Sequence, residues 1–495
     1  MQSTKSKTTN AHLTYLPPSE PKPILQVPSR APAKGLCFWG DGKWLTTYNR
    51  GLMTTMTQTP VTTETIQTFR EAFENDTSAK IAQNAVTMNT IDDIALVRDV
   101  VQSTDFTFST HLDDWKVTNQ KKSGRCWLFA ALNMLRVPAM KKMNVKSFEF
   151  SQNWAMFWDK FERANWFLQH IIETADRPVE DRTVAFLLQD PIGDGGQWNM
   201  FVNMVKKHGL VPKTAMPETE SSSCTAKMNM ILKWKLRDGA MKVRNCEGDP
   251  EAVRGEVLKG IWRILCIHLG TPPQSFNWQW KDKDKKFHDK GEMTPQEFAS
   301  EYIETSLDEY VCVVNDPRNS SPLMQTYTVE CLGNVVGGEL VKYLNIDTDA
   351  MKMLTRKMLE DGKPVWMGCD VGKMFRRDIG IWDADLFNFE GVYGTSLGLT
   401  KSERLEYHQT LMTHAMLFTG VDVEGGVPVK WRVENSWGDE QVGEKGFHAM
   451  NDSWFDEYMF EVAIEKKYLT DEMLAAWDTE PAVLPPWDPM GALAH

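Results

Sequence analysis

Residues 123–135 read SGRCWLFAALNML, and a run this apolar fits only a fold that buries a helix on nearly every side. Ser123 and Gly124 supply turn chemistry, and the stretch stays compatible with a helix until Pro138, which predicts its end. Cys126 then opens the helix. Unpaired backbone N–H groups and the positive end of the helix dipole favour a thiolate there, and such placement can lower a thiol pKa from about 8.5 to roughly 3.5–7.5. Arg125 and Lys121–Lys122 add positive charge beside it. A cysteine that only filled space would need no such neighbourhood.

A sulfur nucleophile needs an imidazole to take and return a proton, a group to orient that imidazole, and donors for the oxyanion. Gln120, six residues upstream, offers a side-chain N–H next to the backbone N–H of Cys126. The other two partners occur together in THAMLFTGVDVEGGVPVKWRVENSWGDE. His414–Val423 and Val429–Asn435 have strand composition, with Glu424-Gly425-Gly426 as the turn between them. With Glu424 and Gly425 as the turn residues, His414 faces Asn435 across the ladder. An Asn435 carbonyl that accepts the imidazole Nδ1–H leaves Nε2 for the sulfur. Trp437, two residues further on, is placed to cover that hydrogen bond.

The rest of the chain sets the context. At 495 residues with 42% hydrophobic composition it can bury a large core, and 19 Trp with 27 Met suggest apolar surfaces shared between subunits. A net charge of −12 disfavours a general nucleic-acid binder, which needs a dense basic face. Eight scattered cysteines with no CxxC pair read as reduced thiols in a cytoplasmic setting. No window is apolar for 18 residues, so no membrane span is expected. Residues 1–60 read as a flexible arm or leader, rich in Ser, Thr, Pro and Lys at the start, with a mitochondrial form as the sharper reading. Helical patterns follow from Thr65, again over SQNWAMFWDKFERANWFLQHIIETADR with Ser151 as N-cap, and in stretches over about 215–345. The charge run KDKDKKFHDKGE reads as a solvated turn. From about 364 the texture turns to short strands, so the class is α+β, helices first.

Taken together, Gln120, SGRCW around Cys126, HAM at His414 and ENSWG around Asn435 resemble the papain-like cysteine peptidases. His414 lies about 290 positions after Cys126, against roughly 130–150 in the plain family, so a large insertion is implied. QKKSGRCWLFAALN, DPIGDGGQW, VECLGNVVGG, VWMGCDVGK, ENSWGDE and LPPWDPMGALAH narrow the resemblance to the family's cytosolic aminopeptidase branch, from about Phe69 to the last residue.

That resemblance implies a peptidase domain over 61–478, with a helical half, a β-barrel-like half and a large helical insertion at about 215–345. It makes Cys126 the nucleophile, His414 the general base and acid, Asn435 the orienting residue and Gln120 the oxyanion donor. Gly195 and Gly196 would form a backbone ledge for extended substrate. Residues 479–495 would enter the cleft and present a terminal carboxylate to the substrate's α-ammonium, carried by Ala494 once His495 is removed. The expected substrates are peptides with a free N-terminus, with bleomycin-like amides and homocysteine thiolactone beside them. The expected assembly is a ring-like homohexamer with inward-facing sites, and no cofactor or metal is called for.

Two rival readings remain. GTSLG at 394–398 matches the G-x-S-x-G elbow of serine hydrolases, with Asp422 and His448 downstream. An elbow serine should open an apolar, small-residue helix, whereas Ser396 is soon followed by Thr400, Lys401 and Glu403. A nucleic-acid-binding assembly could use Lys206–Lys207 and Lys281–Lys290, but the acidic balance limits it to weak, salt-sensitive DNA binding. There is no HExxH, and His408 and His414 lack partners at metal-ligand spacing.

Overall fold

The computed structural model describes residues 59–112, 115–439 and 443–492, and its contacts divide the chain into residues 1–69 and 70–495. The arm expected over 1–60 lies, save its last two residues, outside the described residues. The helical pattern from Thr65 becomes two helices, Thr63–Asn75 and Thr77–Val86, because Asp76 caps the second by accepting the Ala79 N–H. Among the described residues no helix is long and apolar enough to cross a membrane.

Helix α1 (Cys126–Met143) is buried on almost its whole circumference. It runs through Pro138 rather than ending there, because burial of the helix on nearly every side outweighs the one hydrogen bond that proline removes. It stops at Asn144, a left-handed residue with φ 55°. Helix α2 (Gln152–Glu173), capped by Ser151 as its sequence predicts, and α3 (Trp198–His208) cover one side of α1. Two further long helices, α4 (Ala226–Arg244) and α5 (Pro250–Leu269), pack on each other and on α2.

The stretch expected to be helical over about 215–345 is so only in part. A hairpin (Phe276–Lys281 with Phe287–Met293) carries the charge run at its tip. Three buried strands then follow: β1 (Tyr310–Val314), β2 (Thr326–Val329) and β3 (Tyr343–Asn345). Their side chains are buried on both faces, so they show no alternation and cannot be told from buried helix by periodicity.

These strands join a sheet completed by β4 (Val365–Cys369), β5 (Phe375–Arg376), β6 (Ile381–Trp382), β7 (His414–Glu424), β8 (Val427–Glu434), β9 (Phe447–Asn451), β10 (Met459–Glu465) and β11 (Ala482–Leu484). The strand order is β11-β2-β3-β1-β10-β4-β7-β8-β9-β6-β5. Helix α1 lies against β4 and β7, and the Trp366 indole of β4 donates to the Trp127 carbonyl at 3.2 Å. The fold is α+β and papain-like.

The β7–β8 turn is Gly425–Gly426, with φ of 58° and 88°, so Glu424 pairs with Val427. That displaces the expected Glu424–Gly425 turn by one residue. Irregularities near Val423 and Phe418 cancel each other, so the ladder keeps the register set by the turn and its last pair is Leu417 with Glu434. His414 therefore pairs with Cys369 of β4 and not with Asn435.

One buried cluster ties α1 to β8. Glu434 accepts from Trp115 Nε1 at 2.7 Å, Asn133 Nδ2 at 3.1 Å and Arg136 at 2.7 Å. Burial pushes its carboxyl up, and the Arg136 charge opposes that. Removing one member of a buried ion pair strands the other, so Arg136→Ala is expected to cost about 3–5 kcal/mol in chemical unfolding. A loss within experimental error would show that the pair does not hold the helix.

Candidate active site

The loop before α1 is fixed by its own side chains. Gln120 is buried, its backbone N–H donates to Ser436 O at 2.8 Å, and its Oε1 accepts from Ser436 Oγ at 2.6 Å. Its Nε2 donates to Ser123 O at 2.6 Å, leaving the second amide hydrogen for an oxyanion. Arg125 does not stand as a bare charge beside the sulfur. It is buried and makes a bidentate pair with Glu218 at 3.0 and 2.8 Å, with Nε on Ser123 Oγ. Its role is to lock the turn that presents Cys126.

The Cys126 side chain is fully buried. Burial pushes its thiol up to about 12, although the backbone N–H groups of Ala415, Trp127 and Cys126 itself reach the sulfur and favour its anion. The Ala415 contact seats the sulfur one residue from His414. Burial likewise pushes His414 down to about 4, with the Asn435 hydrogen bond opposing. Desolvation thus opposes both the thiolate expected from the helix N-terminus and the imidazolium that would accompany it.

The imidazole is held through Nε2, which lies 2.9 Å from Asn435 Oδ1. This reverses the expected assignment: Nδ1 is the nitrogen left for sulfur chemistry. The reason is the register, since Asn435 lies beyond the last β7–β8 pair and meets the far edge of the ring. Asn435 Oδ1 also accepts the Ser436 N–H at 2.8 Å. Trp437 lies over the pair with its ring 5.0 Å from that of His414, and Arg377 stacks on its outer face at 4.8 Å.

The DPIGDGGQW stretch forms the opposite wall. Asp194 is buried among four donors: Gly124 N–H at 3.0 Å, Lys160 at 2.7 Å, Thr225 Oγ at 2.5 Å and Asn229 Nδ2 at 2.7 Å. Against the upward pull of burial, these and the Lys160 charge hold its carboxyl well below the usual range. Asp194 thereby joins the turn before Cys126 to Gly195 and Gly196. A Cβ on Gly196 would stand 2.5 Å from the Trp127 ring, so only glycine lets the ledge lie against α1. Neither Asp194 nor the Arg125–Glu218 pair was identified from sequence, because an acid in a glycine-rich loop reads first as a turn former.

A cleft of about 630 Å³ is lined by Gly124, Trp166, Gly195, Cys331, Pro486 and Ala492. The C-terminal segment is anchored there by Arg318 on Asp488 at 2.8 Å, by Arg182 stacked on Trp487 at 3.6 Å, and by Gln197 Nε2 on Ala492 O at 2.6 Å. Ala494 and His495 lie outside the described residues.

The serine reading does not survive the structure. Ser396 is exposed on a loop with Glu390 as its partner at 3.4 Å. His448 is buried against Trp382 Nε1 at 2.9 Å, and Asp422 accepts from the Ser109 N–H at 3.1 Å. Some of the candidate basic residues are neutralised: Lys206 pairs with Asp308 and Glu339, Lys207 with Glu162, and Lys290 with Glu301. Among the described residues no group of three His, Cys, Asp or Glu could hold a metal ion.

Gly196→Ala is expected to push Trp127 and the ledge apart, costing about 1–3 kcal/mol of stability and raising KM for extended substrates. Thermal unfolding and steady-state kinetics read both, and an unchanged melting point would contradict the close approach.

Residues 60–491 match the model of the Peptidase C1-like family. Human bleomycin hydrolase is 42% identical over 456 residues, covering 89% of this chain and all of that protein. Aminopeptidase C of Listeria monocytogenes is 40% identical over 440 residues, covering 88% of this chain and all of that protein. The crystal structure of PepW from Lactobacillus rhamnosis HN001 superposes with a TM-score of 0.86 at 44% identity, covering 88% of this chain and 99% of that one. With its cysteine, imidazole and amide brought together on a papain-like scaffold, the chain belongs to the Peptidase C1-like family.

Proposed function

We propose that the protein is a cysteine aminopeptidase that removes N-terminal residues from peptides. The observation that carries the reading is the packing of the helix that opens with Cys126 against the strand that opens with His414, whose imidazole is held at 2.9 Å by Asn435. Attack on the scissile carbonyl forms the S–C bond as the thiol proton passes to His414 Nδ1. The two charges appear together, so their attraction offsets the desolvation that neither bears alone. Gln120 Nε2 and the Cys126 backbone N–H receive the oxyanion. Collapse breaks the C–N bond, and His414 returns the proton to the leaving amine. Water then attacks the thioester with His414 as base, releasing the amino acid and the thiol.

Gly195 and Gly196 offer backbone to an extended substrate, and Trp437 shields the His–Asn bond from water. The C-terminal segment along the cleft supports a role in recognising the free N-terminus, with Ala494 as the terminal carboxylate after His495 is trimmed. Bleomycin-like amides and homocysteine thiolactone fit the same acyl chemistry. Free-amine aminoacyl substrates should turn over well and N-acetylated ones poorly, and deletion of the last ten residues should improve the acetylated ones. Equal turnover of both in the intact enzyme would remove the aminopeptidase reading, and activity surviving Cys126→Ala would remove the cysteine mechanism.

We also propose a homohexamer. Trp234 and Met241 on α4 and Ile267 on α5 are more than half exposed, which is costly for three large apolar side chains unless a neighbour covers them. Light scattering should give about six times 56.6 kDa, and Trp234→Asp with Ile267→Asp should lower it. A monomeric wild type would refute the assembly. Weak, salt-sensitive DNA binding would rest on the lysines of 281–290 against a net charge of −12. We place the enzyme in the cytoplasm because the described cysteines are all free thiols, which cell fractionation reads directly. A mitochondrial form depends on residues 1–60.

A further inference from the structure

Beside the C-terminal segment, three residues with an unpartnered buried polar atom line one small space. Gln197 Oε1, Tyr343 Oη and Glu461 Oε1 come from the ledge loop, β3 and β10, and each side chain is at most 2% exposed. None of the three atoms has a hydrogen-bond partner among the described residues. All three residues line a cavity of about 10 Å³, closed by Met412 on one side and by Pro489 and Met490 of the C-terminal segment on the other. That volume is room for about one water molecule's centre.

The chemistry of the three atoms is complementary to a single water. Tyr343 has a hydroxyl hydrogen to give, and Gln197 Oε1 can only accept. Burial pushes the Glu461 carboxyl up to about 8, so at neutral pH it is protonated and can give or accept. A water molecule has two hydrogens and two lone pairs, enough to serve all three at once. Buried polar atoms that share a space of this size are commonly satisfied in this way.

Gln197 gives the site its consequence. Its Oε1 faces the cavity while its Nε2 donates to the Ala492 carbonyl at 2.6 Å, so whatever orients the carboxamide also fixes where the C-terminal segment runs. We propose that Gln197, Tyr343 and Glu461 bind one structural water that holds the C-terminal segment in its path along the cleft, making them positioning residues for N-terminal selectivity. The proposal rests on the reading of that segment as the element that excludes blocked substrates. None of the three residues touches the reacting atoms.

The test compares the ratio of kcat/KM for a free-amine aminoacyl substrate to that for its N-acetylated counterpart, in the full-length enzyme. Tyr343→Phe removes only the hydroxyl and Glu461→Leu removes the polar tip, and each should lower the ratio about 5- to 10-fold, as expected for one lost hydrogen bond. Turnover of the free-amine substrate should stay within about two-fold. Glu461→Gln keeps a neutral hydrogen-bonding tip and should preserve the ratio. A merely structural defect would slow both substrates equally, and that result overturns the proposal. Deleting the last ten residues separates the two claims: if deletion leaves the ratio unchanged, the selectivity reading fails, whereas if deletion collapses it and Tyr343→Phe does not, the water site fails. Crystallographic density for a water within hydrogen-bond distance of all three atoms in the wild type is expected whatever the folding of the variants, and a dry cavity overturns the proposal.

Discussion

The carboxylate of Glu434 is the tie on which the site depends. It sits one residue before Asn435 on β8, and two of its donors, Asn133 and Arg136, project from the helix that begins at Cys126. Asn133 is seven residues along α1, two turns from the sulfur and on the same face. The tie therefore fixes the axial position of the helix relative to the strand, and the strand carries the amide that aims the imidazole. Burying a charge pair is a poor way to gain stability, since desolvation consumes most of the attraction. It is a good way to fix one arrangement of two surfaces, because a slipped arrangement would leave the charges unpaired. The sulfur and imidazole arrive from opposite ends of the chain, and an error of one ångström would disable them.

Electrostatics around the sulfur follow from the same economy of charge. The buried cations near Cys126 are already spoken for, Arg125 by Glu218 and Lys160 by Asp194, while Lys121 and Lys122 are exposed to solvent. What remains to favour the anion is neutral, namely three backbone N–H groups and the helix end. Such dipoles are fixed before the substrate arrives and need no reorganisation as charge develops. The environment that favours the thiolate is thus built around the sulfur in advance.

Much of the site was legible in the sequence because its chemistry demands particular residue types. Gln120, Cys126, His414 and Asn435 could be named, and Ser151 could be read as a cap, since each obeys local rules. Which ring nitrogen faces the sulfur could not be read, because the turn falls one residue later than its sequence suggests and register is a property of the pair of strands. Strands such as YVCVV at 310–314, buried on both faces, carry no alternation to betray them. The hubs at Asp194 and Glu434 were illegible for a further reason: their donors lie far away in sequence and converge only in three dimensions. Pro138 misled because helix-breaking rules describe isolated helices, and tertiary burial of α1 overrides them.

The order of strands across the sheet has a consequence for how the polypeptide is made. Strand β10, near the C-terminus, lies between β1 and β4, and the apolar surface of α1 is covered by β7, nearly three hundred residues after Cys126. A chain emerging from the ribosome must therefore carry the sheet-facing side of that helix uncovered until most of translation is complete. Pairings this distant close slowly and leave sticky surface open to other chains meanwhile. The same delay means that no half-made molecule can hold a working sulfur–imidazole pair, so proteolytic power appears in the cell only with the finished polypeptide.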